Sequence, residues 1–175
     1  MLAEDTAPAI QEISTRSGKV IAVRPVTPAD EPLLAEFFDR VSDEDRRFRF
    51  LSAHNHLTHE QLVPMVEVDH FRTESFIAFD EASDTVVGHA LLACDNALDT
   101  GEIAVSVCKN WRGQGVGWAL LDVLADAARH RGVRRVISLE DRENHAAIEL
   151  EREKGFVPHG VDGDPHVVLL EKLLR

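Results

Sequence analysis

The 175-residue sequence lacks the features that mark several classes of protein. Its two cysteines, Cys94 and Cys108, are too few for a disulfide scaffold or a zinc site built from thiolates. No stretch approaches the roughly 18 consecutive apolar residues of a membrane span, and the richest segment, residues 118–128, is broken by Asp122 and Asp126. Residues 1–10 lack the basic region and the apolar core of a signal peptide. We therefore expect a cytoplasmic protein with no membrane partner.

Positive charge is also scarce. The chain has 31 acidic and 19 basic residues, a formal net charge of -12, which argues against binding to nucleic acid phosphates. An acidic surface serves ordinary solubility, and it also suits an amine or a basic protein as partner. Composition and length predict a single globular domain over residues 18–175, preceded by a flexible segment over residues 1–17.

The spacing of apolar residues predicts a mixture of strands and helices. A hairpin over residues 75–93 is followed by a strand over residues 102–108 and an amphipathic helix over Val116–His130. With the next strand, residues 135–139, they form a unit that should be a right-handed parallel crossover, so the sheet should be mixed. The other predicted elements are strands over residues 19–26 and 167–173 and helices after Pro28, Ser42 and Thr58 and over residues 144–154.

A glycine-rich segment, Arg112-Gly113-Gln114-Gly115-Val116-Gly117, joins the strand over residues 102–108 to the long helix. Glycines permit positive φ and close approach of the backbone, which leaves free amides at a helix N-terminus, and Arg112 adds a positive charge. These features are typical of an anion site, with diphosphate as the natural ligand. A tight turn without a ligand is the alternative.

Two other phosphate-binding motifs fit this segment less well. The dinucleotide pattern G-x-G-x-x-G needs a third glycine where Trp118 or Leu120 stands, although Glu140 lies at about the distance expected for a ribose-binding acid. A P-loop is excluded because no glycine in the chain is followed by Lys-Ser or Lys-Thr.

The same segment resembles the signature R/Q-x-x-G-x-G/A of the GNAT superfamily of acyl-CoA-dependent N-acetyltransferases, which Arg112, Gly115 and Gly117 match. Downstream, Asn144-His145-Ala146-Ala147 followed by Gly155-Phe156 is similar to the second half-motif of that family. Two linked motifs at family-like spacing are far more specific than either alone.

Residues 23–30 also resemble the amino-terminal pattern of the family, so the similarity spans nearly the whole domain. The resemblance implies the GNAT fold, which belongs to the α/β (α+β) class. This fold has a mixed, mostly antiparallel sheet with a splayed central pair of parallel strands, and helices flank the sheet. It implies acetyl-CoA as cosubstrate and no metal. The residues it places against acetyl-CoA are Val105, Ser106 and Val107 at the pantetheine arm, Arg112, Gly113, Gln114, Gly115, Val116 and Gly117 at the diphosphate, and Asn144 near the thioester.

A closer similarity is to the acetyltransferase domain of bacterial protein-lysine acetyltransferases. It rests on residues 41–50 and 67–70 and on Glu102-Ile103-Ala104-Val105, whose glutamate is the proposed general base of that family. A lysine-bearing protein is therefore the first expectation for the amine substrate, and a polyamine or aminoglycoside is the second. A noncatalytic acyl-CoA-binding sensor is the rival. Many similar proteins form homodimers, although no residue pattern here marks an interface.

Amine chemistry supports a base at Glu102. A lysine attacks a thioester only when neutral, and with a pKa of about 10.4 its deprotonation at pH 7 costs roughly 4.6 kcal/mol. Glu102 could accept that proton directly or through a water. The alternative is that Glu102 is a solvated residue at the end of a hairpin.

The residue that commonly acts as general acid in the superfamily is absent from this chain. A tyrosine commonly follows the motif asparagine by seven positions and protonates the leaving thiolate, but this chain has no tyrosine and carries Glu151 there. Glu151 could substitute only if a strongly raised pKa kept it protonated. Its charged neighbours, Glu149 and Arg152, instead predict an exposed position on the helix.

Three histidines, His54, His56 and His59, lie close together in the sequence. No helical or strand spacing unites them, and no cysteine or paired carboxylate completes a ligand set, so we expect no metal site.

Overall fold

The computed structural model describes residues 9–50 and 56–174, which form one eight-stranded sheet with helices on both of its faces. The strands are β1 (Gln11–Ser14), β2 (Val20–Pro25), β3 (Thr73–Asp80), β4 (Val86–Cys94), β5 (Thr100–Val107), β6 (Arg135–Asp141), β7 (Val157–Val161) and β8 (Asp164–Leu173). The helices are α1 (Glu31–Asp39), α2 (Asp43–Phe50), α3 (His59–Val66), α4 (Val116–His130) and α5 (His145–Glu153). In the part of the chain that is described, no helix is long and apolar enough to cross a membrane.

The strands follow the order β1-β2-β3-β4-β5-β6-β8-β7 across the sheet. Every neighbouring pair is antiparallel except β5 and β6, which are parallel and joined by α4. The predicted mixed, mostly antiparallel sheet with one central parallel crossover is therefore confirmed.

Successive residues of β4 show how the two faces of the sheet are covered. A side chain at Gly88 would point at Leu120 of α4, whereas the next residue, His89, packs on Phe38 of α1 with ring centroids 5.8 Å apart. Because neighbouring residues of a strand point to opposite faces, α4 and α1 lie on opposite sides of the sheet. Both sides are apolar and tightly buried: Leu34, Phe37, Phe38, Leu120 and Leu124 have no exposed surface.

The sequence signals for helix boundaries hold at two places. The helix predicted after Thr58 begins with a capping box, in which the side chains of Thr58 and Gln61 each accept from the backbone N–H of the other residue. The long helix α4 has the predicted bounds, Val116–His130, and most of its apolar residues are buried.

Two edge strands were not predicted. β1 lies inside the segment 1–17, to which the sequence analysis assigned flexibility, and it pairs with β2 through four residues. β7 contains Pro158 and Gly160 and pairs with β8 at the other edge. Both strands are short, largely exposed and paired on one side only. Because they bury little surface, neither carries the run of alternating apolar residues that predicts a strand from sequence.

Candidate active site

The two central parallel strands pair over only part of their length. Thr100, Gly101 and Glu102 of β5 face Arg135, Val136 and Ile137 of β6, and no further pair between these two strands is present in the described chain. β5 continues to Val107 paired with β4, and β6 continues to Asp141 paired with β8. The strands therefore part after Glu102, as the resemblance implied, and leave a gap in the middle of the sheet.

A cavity of about 730 Å³ occupies this gap, a size typical of a small-molecule site. One wall is β5 from Glu102 to Val107, and another is formed by the end of β6 and by α5. The glycine-rich loop and the first turn of α4 lie along the same cavity, and Phe48 and Arg49 of α2 reach it.

The glycine-rich loop has a conformation that favours glycine at two positions. Gly113 and Gly115 have φ values of 73° and 85°, and Gly115 is the N-cap of α4. The first turn of the 15-residue helix that follows lies wholly within the described residues and contains no acidic residue. The unpaired amides at the N-terminus of α4 and the helix dipole favour a negative charge at that end of the helix. The loop and the cavity beside it therefore fit a ligand that carries a diphosphate next to an extended arm.

The cavity brings together the predicted site residues, with one exception. Those that line it are Glu102, Val105, Ser106, Val107, Arg112, Gly113, Gly115, Val116, Gly117 and Asn144. Gln114 belongs to the same loop but not to the lining: its side-chain amide donates to the carbonyl of Asn110 at 3.4 Å, and its own carbonyl accepts from Ser17 Oγ at 2.6 Å.

Glu102 is exposed and lies at the point where the two strands part. Arg49 also lines the cavity, and its guanidinium lies within electrostatic reach of both Glu102 and Glu140. Burial lowers the pKa of Arg49, while these two carboxylates act in the opposite direction. Among the described residues, Arg49 Nε has no hydrogen-bond partner. Glu102 is thus a solvent-accessible carboxylate beside a positive charge.

Asn144 is the N-cap of α5. Its side-chain oxygen accepts from the N–H of Ala147 at 3.4 Å, and its side-chain nitrogen donates to Glu140 Oε2 at 3.3 Å. The asparagine therefore begins the helix and ties that helix to the end of β6, which explains why this residue type suits the position on structural grounds.

Glu151 is buried, and the prediction of an exposed position was wrong. Only 5% of its surface is exposed, and it lines the cavity, as Glu140 does. Burial is the main reason that its pKa rises to about 9, and the negative charge of Glu140 acts in the same direction. Tertiary packing of α5 against α4 and β8 overrides the charged sequence context of Glu149 and Arg152.

Of the lining residues that were not among the predicted site residues, five carry aromatic or basic side chains: Arg16, Phe48, Arg49, Trp111 and Trp118. Arg16 follows the unpredicted strand β1, and its guanidinium lies 4.3 Å from the ring centroid of Trp118. Phe48 and Arg49 belong to residues 41–50, a segment that the sequence analysis singled out for its resemblance without assigning it to the site. The aromatic side chain of Phe48 and the basic side chain of Arg49 were the sequence features that could have assigned them to the site.

The histidines do not form a cluster in the described part of the chain. His56 Nδ1 pairs with Asp39 at 2.8 Å, and His59 pairs with Glu31, while His54 lies outside the described residues. Within residues 9–50 and 56–174, no group of three or more metal-ligating side chains is present.

Sequence and structure are both similar to those of known acetyltransferases. The family model described as "Acetyltransferase (GNAT) family" matches residues 34–156. Acetyltransferase PA5475 of Pseudomonas aeruginosa is 26% identical over 148 residues, which cover 82% of this chain and 78% of that protein.

Among solved structures, the GNAT domain of S. lividans PAT is 26% identical and has a TM-score of 0.87, covering 97% of this chain and 100% of that chain. The ribosomal-protein-S5-alanine acetyltransferase of Vibrio fischeri shares the fold at 16% identity, with a TM-score of 0.73 and coverage of 94% and 96%.

Proposed function

The chain belongs to the GNAT family of acetyltransferases, and on this basis we propose that it transfers the acetyl group of acetyl-CoA to the amine of a protein lysine, with Glu102 as general base. The observation that carries the proposal is the position of Glu102. Its carboxylate lies where β5 and β6 part and lines the same cavity as the glycine-rich loop. A proton acceptor and an anion site thus share one cavity.

The chain offers three kinds of contact to acetyl-CoA. The amides of Gln114, Gly115 and Gly117 would hold the diphosphate at the start of α4. Backbone groups of Val105–Val107 that face the gap would bind the pantetheine arm, and Asn144 would lie near its acyl end. When bound, acetyl-CoA supplies an acetyl group activated as a thioester.

Glu102 would then remove the proton that keeps a lysine unreactive. Deprotonation of a lysine at pH 7 costs roughly 4.6 kcal/mol, so a positioned carboxylate or a water held by it lowers the barrier to attack. The exposure of Glu102 gives the abstracted proton a path to solvent. The base therefore works at the accessible end of the cavity, where a side chain from another protein could enter.

Two observations support a protein lysine as the acceptor. Residues 41–50, which resemble the corresponding segment of protein-lysine acetyltransferases, form α2 and bring Phe48 and Arg49 to the cavity. The lining is also rich in acidic side chains, which favours a cationic acceptor: Asp45, Glu102, Glu140, Asp141, Glu149 and Glu153, besides the neutral Glu151.

The acidic lining equally suits a small polyamine, which is the second candidate acceptor. The missing tyrosine favours a third function, a noncatalytic acyl-CoA sensor. Turnover separates the sensor from both enzymes, and the choice of acceptor separates the enzymes from each other.

The test is an acetyl-transfer assay with purified protein, acetyl-CoA and either a lysine-containing basic protein or spermidine. Product is identified by mass spectrometry, and released CoA is measured through its thiol. We expect acetyl-lysine on the protein acceptor and faster release of CoA than without acceptor. Acetylation of spermidine alone would assign the second function, and binding of acetyl-CoA without transfer to either acceptor would contradict both enzymatic functions.

A further inference from the structure

The wall of the cavity contains two carboxyl groups with unequal surroundings, the half-buried Glu140 and the buried Glu151. Glu140, near the end of β6, accepts hydrogen bonds from Ser138 Oγ at 3.0 Å and from Asn144 Nδ2 at 3.3 Å. Glu151, on α5, has an Oε2 atom that is buried and has no hydrogen-bond partner among the described residues. The donors therefore stabilise a carboxylate at Glu140, whereas the surroundings of Glu151 favour a neutral carboxyl.

One proton on this pair satisfies both groups. Two neighbouring carboxylates that are shielded from water cannot both be ionised at low cost, and the charge of Glu140 acts on Glu151, so one of the two holds a proton. Burial raises the pKa of both carboxyl groups: at Glu140 the hydrogen bonds from Ser138 and Asn144 and the charge of Arg49 oppose this rise, whereas at Glu151 the charge of Glu140 adds to it. Among the described residues, the other charged group that acts on the pair is Arg49 of α2, whose positive charge favours the carboxylate of Glu140. At neutral pH Glu151 is thus the protonated member.

The position of Glu151 places this proton beside the region where the acyl end of the ligand would lie. Glu151 follows Asn144 by seven residues, about two helical turns, so both residues share one face of α5. Both line the cavity, as does Glu102 on the opposite strand. The cavity thus has a carboxylate able to accept a proton on β5 and a neutral carboxyl able to donate one on α5.

We propose that Glu151 is the general acid that protonates the CoA sulfur, an inference that rests on the proposed acetyl transfer. As the C–N bond to the acceptor forms and the C–S bond of the thioester breaks, the electron pair of that bond goes to sulfur. Glu151 gives its proton to this sulfur, so that CoA leaves as a thiol. The acceptor ammonium loses two protons, one to Glu102 before the attack and a second as the tetrahedral intermediate collapses to the amide. Solvent receives both protons and returns one to Glu151, so each turnover releases one proton in net.

The test compares Glu151→Gln with Glu143→Gln, a control on an exposed glutamate in the turn before α5. Glutamine has the size of the neutral carboxyl and no transferable proton, so the fold should be retained. We expect Glu151→Gln to lower kcat by about tenfold to 10²-fold, at or below the low end of the range for acid–base groups because a thiolate is a fair leaving group. The control should not change kcat.

The pH profile of kcat gives a sharper readout. Wild-type kcat should fall as Glu151 loses its proton at high pH, and Glu151→Gln should lack this fall. Glu140→Gln removes the neighbouring negative charge, so the fall should move to lower pH. A purely structural role of Glu140 and Glu151 would not move the fall in kcat to lower pH.

Infrared spectroscopy tests the proton itself, without activity. The carbonyl stretch of a protonated carboxyl should be present in wild type and in Glu143→Gln at pH 7 and absent in Glu151→Gln. Absence of this band from wild type would overturn the inference.

The kinetic outcomes separate the two proposals. Transfer by wild type that depends on Glu102 but keeps its rate and its pH profile in Glu151→Gln would overturn the role of Glu151 alone. Absence of transfer to any amine by wild type would overturn both.

Discussion

Glu102 and Ile137 are the last partners in the parallel pair of β5 and β6. One residue beyond them the strands separate, so the carboxylate of Glu102 lies at the apex of the gap that forms the cavity. A side chain at this position is held by regular sheet structure on both sides of β5 and still reaches solvent. The position of Glu102 at the end of the β5–β6 pairing explains how the fold holds a carboxylate able to accept a proton beside the cavity without a separate loop.

Glu102→Gln should lower kcat by about 10²-fold or more, within the range for loss of a general base, and should leave acetyl-CoA affinity nearly unchanged. The amide has the size of the carboxylate and cannot accept the proton. Steady-state kinetics across the pH range and calorimetric titration with acetyl-CoA measure the two effects, with Glu143→Gln as control. Unchanged kcat at every pH would remove Glu102 from the mechanism.

Gly113→Asp should weaken acetyl-CoA binding by about tenfold or more relative to Gly113→Asn. Both side chains tolerate positive φ better than most residues, and no atom outside the immediate chain neighbours lies within 4 Å of a Cβ at this position. The two variants differ in one negative charge, which opposes a diphosphate at the helix N-terminus. Quenching of Trp111 and Trp118, which both line the cavity, can report binding.

Equal affinities of the two Gly113 variants would show that the loop does not hold the diphosphate. Gly115 is a poorer place for this test, because a side chain there would lie 3.0 to 3.2 Å from atoms of Thr15 and Arg16 and would disturb the fold.

The proton on Glu151 should make stability fall as pH rises. Its pKa is about 9 in the folded chain and near 4.5 when unfolded, so the folded state binds more protons between these values and the free energy of unfolding decreases with pH across this window. The decrease is at most about 1.4 kcal/mol per pH unit for one proton. Urea unfolding of wild type and Glu151→Gln measures it, and the same slope in both would contradict a protonated Glu151.

Ser75→Ala should destabilise the fold by about 1–3 kcal/mol. Ser75 Oγ and His89 Nε2 are 2.7 Å apart, and both residues are buried. Burial, followed by the positive charge of Arg49, lowers the pKa of His89 to about 3, so the ring is neutral at pH 7 and Nε2 would lose its partner. Chemical denaturation measures the loss, and Ser83→Ala, in an exposed turn, should cost less. Equal losses would contradict the buried hydrogen bond.

His89 adds an opposite pH effect that the same titrations separate. Its pKa is lower in the folded state than in the unfolded state, near 6.5, so the unfolded state binds more protons between pH 6.5 and 3. Stability from His89 is therefore lost as pH falls through this window, whereas stability from Glu151 is lost as pH rises.

Local signals predicted the parts of the site that depend on backbone geometry. The glycines of the loop and the apolar face of α4 appear directly in the sequence, and the crossover rule places β5 beside β6. The burial of Glu151 could not be predicted, because it depends on how α5 packs against α4 and β8. Arg16 was missed for a similar reason: its position depends on β1, a four-residue edge strand whose stability comes from β2.

The melting temperature with saturating acetyl-CoA tests the central claim, that the gap between β5 and β6 and the glycine-rich loop form an acyl-CoA site. Ligand at 100 times its Kd should stabilise the native state by about 2.7 kcal/mol, which raises the melting temperature by several degrees at this size. We predict this rise with acetyl-CoA and with CoA, but not with NADH at the same concentration. No rise with either CoA species would contradict the account and leave the glycine-rich loop as a structural turn.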